Sequence, residues 1–270
     1  MRAPDVAPAA DMILRGEWGD RTTFLAWTVG HPSAHPFVAE SAGRIVGTGI
    51  ATANGRVGWV GTIFVDRDER GGGLGKALTQ AVIDDLEDRG CRTLVLIATD
   101  EGRRVYERLG FTVHTRYVRL AAPASPPGPD PGGVRAFAPD DLSAITALDR
   151  VATGEDRSAI LRAFATPETG RVAVRPDGSV GGFLVRAPWG GSAVIAAEPD
   201  DAVRLLDWRR RRSRGESHLV IGVLEGNVAG RARLVAEGWT EQPGGPRMIR
   251  GEPLIWRPES IYGQFNGALG

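Results

Sequence analysis

The chain has 270 residues, 42% of them hydrophobic, and 33 cationic side chains against 33 anionic ones give a formal charge of zero. That balance argues against general attraction to nucleic acid or to an anionic membrane, and a single cysteine, Cys91, leaves no partner for an internal disulfide. The length allows one large domain or two ordinary ones, no apolar run could span a bilayer, and no signal-like segment opens the chain, so a cytoplasmic protein is expected.

Residues 7–18 and 22–29 read as helices, with no convincing strand before them. Residues 37–40 and 44–50 read as a hairpin that turns at Ser41, Ala42 and Gly43. Residues 59–65 are β-branched and aromatic, which suits a half-buried strand. A polar break at 66–69 leads into Arg70-Gly71-Gly72-Gly73-Leu74-Gly75-Lys76. Leu74, Leu78, Ala81, Val82 and Leu86 then recur at helical spacing until near Gly90. Strands are predicted over 93–99 and 112–120, with Tyr106-Glu107-Arg108-Leu109-Gly110-Phe111 between them.

The glycine loop has a physical use. Glycines permit positive φ and let a ligand approach without a Cβ in the way. A helix that starts inside such a loop offers unpaired N–H groups and partial positive charge, which suits a pyrophosphate. Arg70 and Lys76 add charge at both ends. The loop is not a Walker A, because the nearest hydroxyl after Lys76 is Thr79, and its context does not suit a dinucleotide fingerprint.

The pattern Arg-x-x-Gly-x-Gly, as Arg70, Gly73 and Gly75, resembles the acyl-CoA loop of the GNAT superfamily of N-acyltransferases. Tyr106, Gly110 and Phe111 resemble that family's Tyr-x-x-x-Gly-Phe. The resemblance implies an α/β fold, a mixed sheet with helices on both faces. It implies that backbone N–H groups of Gly71, Gly72, Gly73, Leu74, Gly75 and Lys76, with Arg70, hold the pyrophosphate of acetyl-CoA. Phe64 and Val65 would pair through their backbone with the pantetheine amides. Tyr106 would protonate the leaving thiolate, with core packing as its ordinary alternative. Thr99 stands where many members carry a cofactor-contacting asparagine. Arg103 and Arg104 suit either CoA phosphates or a solvated helix face.

Residues 121–133 hold five prolines and read as a solvated linker. Beyond it the pattern repeats. A short strand at 134–137 and a helix beginning at Pro139 precede a hairpin, 170–175 with 179–186. A strand at 192–197, a helix at 200–214 and a strand at 218–224 follow. Asn227, Gly230, Leu234, Gly238 and Trp239 align with Thr99, Gly102, Tyr106, Gly110 and Phe111 at one shift (238 − 110 = 128). The second copy has Glu198-Pro199-Asp200-Asp201 in place of the glycine loop and Leu234 in place of the tyrosine, so it is not expected to hold CoA in that way. The organisation expected is an acyl-CoA-binding domain at 1–120, the linker at 121–133, and a degenerate GNAT-like domain at 134–270 that helps form the acceptor pocket.

A general base is not evident. Glu40, Asp66, Glu155, Asp156, His31 and His35 all remain candidates, and Thr62 could position a water. The arginine run 209–212 reads as a solvated helix end. The tail 256–270, with Tyr262, Gln264 and Asn266, suits either an acceptor pocket or a segment packed on the sheet. The expected activity is direct transfer of an acetyl group from acetyl-CoA to a primary amine of a small molecule, with no metal, nucleic acid or membrane involved. A non-catalytic acyl-CoA sensor or scaffold is the alternative.

Overall fold

The computed structural model describes residues 1–213 and 218–270, and the chain divides into two units. The first comprises Met1–Val113, Arg247–Pro253 and Gly267–Gly270; the second comprises His114–Pro246 and Leu254–Asn266. The units therefore do not coincide with the two sequence halves. Each takes in segments from beyond the proline-rich stretch or before it.

In the first unit, α1 (Val6–Arg15) buries Val6, Ala9, Ala10 and Ile13, the one face that its 3.6-residue period offers. After α2 (Thr22–Gly30), strands β1 (Ala34–Ser41), β2 (Arg44–Asn54) and β3 (Val57–Val65) form an antiparallel meander. Among the described residues no strand precedes α1; instead the Met1 ammonium donates to the Pro36 carbonyl of β1 at 2.8 Å. Helix α3 (Leu74–Asp88) sets Val82, Ile83 and Leu86 on Ala51, Val60, Leu94 and Leu96. Each such buried side chain contributes roughly 1.5–3 kcal/mol. β4 (Thr93–Ile97) lies parallel to β3 and leads to α4 (Asp100–Arg108).

The second unit repeats the plan. It contains a five-stranded sheet ordered β12-β9-β8-β7-β6, from β6 (Val134–Ala136), β7 (Gly170–Val174), β8 (Val180–Arg186), β9 (Ser192–Ala196) and β12 (Ile261–Gly263). Helices α5 (Leu142–Thr153), α6 (Ser158–Phe164), α7 (Pro199–Arg211) and α8 (Val228–Ala236) belong to it, as does β10 (His218–Leu224). Arg214, the last residue of the expected 200–214 helix, lies outside the described residues.

The repeat extends past the sequence motif. β5 (Thr112–Pro123) and β11 (Thr240–Gly251) start and end at the same shift (240 − 112 = 128; 251 − 123 = 128). They also change places. Within the second unit β5 pairs with β10, from Tyr117↔Leu224 to Pro123↔His218. Within the first unit Arg247–Gly251 of β11 pairs with β4, from Arg247↔Ile97 to Gly251↔Thr93. Each copy's strand thus serves the unit built mainly from the other copy.

Two expectations need correction, and one strand went unread. The stretch at 121–133 is not linker throughout: Ala121, Ala122 and Pro123 are the end of β5, and irregular chain begins at Ala124. Proline is tolerated there because it closes the strand. β11 went unread because Pro243, Gly244, Gly245 and Pro246 look like a breaker. Gly244 is required for the close approach, since a Cβ there would stand 2.0 Å from the Tyr117 carbonyl. The arginine run does end α7, but it is only partly solvated. Turning 100° per residue, it sends Arg209 inward, 2% exposed, to the Ser213 hydroxyl at 2.8 Å. Arg210 donates to the Pro123 and Glu237 carbonyls, Arg211 pairs with Asp207, and Arg212 pairs with Asp130 while covering the Trp208 ring.

Candidate active site

The site in the first unit is built where β3 and β4 part. Their ladder covers only Val57, Gly58 and Trp59 of β3, against Thr93, Leu94 and Val95 of β4. Beyond it β3 carries a bulge: Thr48 faces Phe64 and Ile50 faces Gly61, so β3 holds one residue more than β2. Thr62 sits in the bulge at φ 50°, a conformation that costs a non-glycine residue about 1–3 kcal/mol. The buried Thr48 hydroxyl holds it by donating to the Thr62 carbonyl at 3.0 Å.

The glycine loop follows directly. Gly71 and Gly73 have φ of 86° and 85°, so glycine is required there by backbone conformation. A Cβ built on Gly71, Gly72 or Gly73 would meet no atom within 4 Å, so the loop's outer face has room for an anion. Gly73 is the N-cap of α3, and the first helical bond runs from the Ala77 N–H to the Gly73 carbonyl at 3.0 Å. The N–H groups of Leu74, Gly75 and Lys76 precede that bond and lie at the positive end of a 15-residue helix. Lys76 is exposed. Arg70 folds back instead: its Nε donates to the Val65 carbonyl at 3.0 Å and its guanidinium lies 5.8 Å from the Phe64 ring centroid. Arg70 therefore ties the loop to the end of β3, and one backbone acceptor of Val65 is already engaged. The Phe64 side chain is buried and packs edge-on against Trp18 at 5.3 Å.

Tyr106 stands in α4, half-buried, in edge contact with Phe111 at 6.2 Å. Its ring fills the space over Gly102, where a Cβ would stand 3.0 Å from it. Burial pushes its phenol up to about 12, because the apolar surroundings disfavour the charged form. The group therefore holds its proton at neutral pH. Thr99 is the N-cap of α4 and accepts from the Gly102 N–H at 3.1 Å, so the structure gives it a capping role. Arg103 pairs with Glu107 one turn on. Cys91 is buried and its thiol is pushed up by burial, which does not suit a nucleophile.

The candidate bases are dispersed. His35 contacts Asp85 at 2.8 Å, His31 stacks on Trp27 at 4.3 Å, Asp66 lies 3.8 Å from Arg15, and Glu40 is exposed. Glu155 and Asp156 belong to the second unit, Glu155 buried near the Arg157–Asp149 ion pair and Asp156 paired with Arg150.

The corresponding region of the second unit is filled. Asn227 caps α8 by accepting from the Gly230 N–H at 3.0 Å, the counterpart of Thr99 and Gly102. Leu234, fully buried, takes the place of Tyr106. The C-terminal strand β12 adds to β9, and Tyr262 on it stands over Gly230, where a Cβ would come within 2.5 Å of its ring. Residues 261–263 of the tail are thus packed on the second unit's sheet.

The family profile described as "Acetyltransferase (GNAT) family" matches residues 7–111, and that described as "Acetyltransferase (GNAT) domain" matches residues 145–263. The chain belongs to the GNAT acetyltransferase family and carries its domain twice. Over 91 residues it is 36% identical to the glucosamine 6-phosphate N-acetyltransferase of Trypanosoma brucei brucei, a match covering 31% of this chain and 62% of that protein. Over 93 residues it is 44% identical to the mycothiol acetyltransferase of Saccharomonospora viridis, covering 29% of this chain and 30% of that one. A crystal structure from Pyrococcus horikoshii superposes with a TM-score of 0.83 at 19% identity, over 100% of this chain and 94% of the other. A tandem GNAT protein from the clavulanic acid biosynthesis pathway gives 0.63 at 16% identity, over 94% and 98%. These two likenesses concern the fold. Among the described residues no helix is long and apolar enough to cross a membrane.

Proposed function

We propose that the first unit transfers the acetyl group of acetyl-CoA directly to the amine of a small molecule, and that the second unit binds no acyl-CoA. One observation carries the reading. The open glycine loop at the start of α3, the parting of β3 from β4 and a protonated tyrosine belong to one unit. The N–H groups of Gly71 to Lys76 would take the pyrophosphate, and the edge of β3 at Phe64 and Val65, apart from the Val65 carbonyl that Arg70 holds, would receive the pantetheine as an added strand. The deprotonated amine attacks the thioester carbonyl, a C–N bond forms, and the C–S bond breaks. The thiolate takes the phenol proton of Tyr106, and the proton that the new amide nitrogen sheds passes through water to restore the phenol. N–H groups at the Thr62 bulge suit the oxyanion. No covalent enzyme intermediate is needed. The two relatives are named for glucosamine 6-phosphate and mycothiol, which supports a small acceptor.

Calorimetry with acetyl-CoA and a thiol-release assay over an amine panel test this. One acetyl-CoA per chain and thiol release that requires an acceptor are expected. Tight binding without turnover on any amine would favour a sensor, and two sites per chain would overturn the one-site reading.

A further inference from the structure

Residues 267–269 return to the first unit and lie against β3. The fit is close: a Cβ on Gly61 would stand 2.2 Å from the Ala268 Cβ and 2.5 Å from its Cα. Only glycine allows that approach, and it occurs one residue before the strained Thr62. The Asn54 amide donates to the Leu269 carbonyl at 3.1 Å, and Gly267 faces Ile97 at the end of β4. Ala268 and Leu269 are buried, at 3% and 0% exposure.

The face matters. Along β3, Gly58 meets Leu86 of α3, and Val60 joins the same core. Trp59 and Gly61 alternate with them and turn to the opposite side. Helix α3, whose start would hold the pyrophosphate, therefore covers one face of β3, and the segment 267–269 covers the other beside the bulge. An acyl group entering from the α3 loop along β3 would reach the bulge, and the segment 267–269 would border an amine that approaches it from that second face.

We propose that residues 267–269 are the acceptor-side wall of the first-unit site, with Ala268 and Asn54 as positioning residues; the proposal rests on the acetyl-transfer reading above. Asn54 lies at the far end of β2 from Thr48, whose hydroxyl holds the bulge, and it has no part in the loop. The test uses the full chain, with Asn54→Ala to remove the donor to Leu269 and Ala268→Gly to loosen the seat on Gly61. Acetyl-CoA Kd, measured by calorimetry, should stay within about twofold, while kcat/KM for an accepted amine falls roughly tenfold, chiefly through acceptor KM. Should Asn54→Ala fail to fold, Ala268→Gly, which loses one methyl, decides. Unchanged acceptor kinetics in a folded variant, or a loss of acetyl-CoA affinity in step with that for the amine, overturns the wall while wild-type turnover stands. A wild-type protein that binds acetyl-CoA but acetylates no amine overturns the transfer reading, and the wall with it.

Discussion

Tyr106 unites a position read from sequence with a property that only burial confers. Its phenol is raised from 10 to about 12, so it stays protonated through the neutral and mildly alkaline range in which an amine begins to lose its proton. Tyr106→Phe keeps the ring and should keep acetyl-CoA affinity while turnover falls roughly 10²-fold. In the wild type, kcat should show no alkaline decline from this group below about pH 10, and a pH profile checks it. The same shift bears on stability. Between pH 10 and about 12 the unfolded chain loses the proton that the folded chain holds, so its contribution, complete below pH 10, is lost as pH rises through that window. The loop offers a second residue-scale test. Gly72 does not have the positive φ of its neighbours, so Gly72→Ala should fold like the wild type yet weaken acetyl-CoA binding about tenfold by crowding the anion. Gly73→Ala should also lose about 1–2 kcal/mol from forcing a side chain into the left-handed region. Melting and calorimetry separate the two effects.

At the scale of elements the two copies use one device in unlike settings. Thr99 and Asn227 each cap a helix through the N–H three residues on, Gly102 and Gly230. Thr99 is exposed, and Thr99→Ala should cost about 1 kcal/mol. Asn227 is 1% exposed and also donates to the Ile261 carbonyl at 3.4 Å, holding the base of β12. Asn227→Ala should cost more, roughly 1–3 kcal/mol, because buried backbone groups lose their partners. Denaturant titration of both variants gives the comparison, and equal costs would show that β12 does not depend on the cap. The helix has been kept in both copies, and what faces its first turn has changed: the ring of Tyr106 in one, Tyr262 from the tail in the other.

At the scale of the whole molecule the exchange of β5 and β11 decides what can fold alone. A fragment of residues 1–125 lacks Arg247–Gly251, the antiparallel partner of β4, and lacks Ala268 and Leu269. It would expose one edge of β4 and the face of β3 at Gly61. We expect no cooperative thermal transition from it and no measurable acetyl-CoA binding, whereas the full chain should melt cooperatively. A fragment that melts cooperatively and binds the donor would show that the exchanged strand is dispensable.

The sequence by itself determined the fold class, the duplication, the loop and its tyrosine. These features are local: glycine conformation, helical and strand periodicity, and a constant shift of 128 between motifs (234 − 106 = 128) are written in neighbouring residues. Only the tertiary structure decided which strand completes which unit, that Arg70 ties back to Val65, that β12 fills the second copy, and that Ala268 lies on Gly61. Each of these except the Arg70 tie depends on partners far apart in the chain. A Pro-Gly-Gly-Pro run or a polar tail carries no mark of the surface it will meet. The spacing that makes Tyr106 recognisable could not reveal its raised pKa either, because desolvation is a property of the packed surroundings and not of the residue.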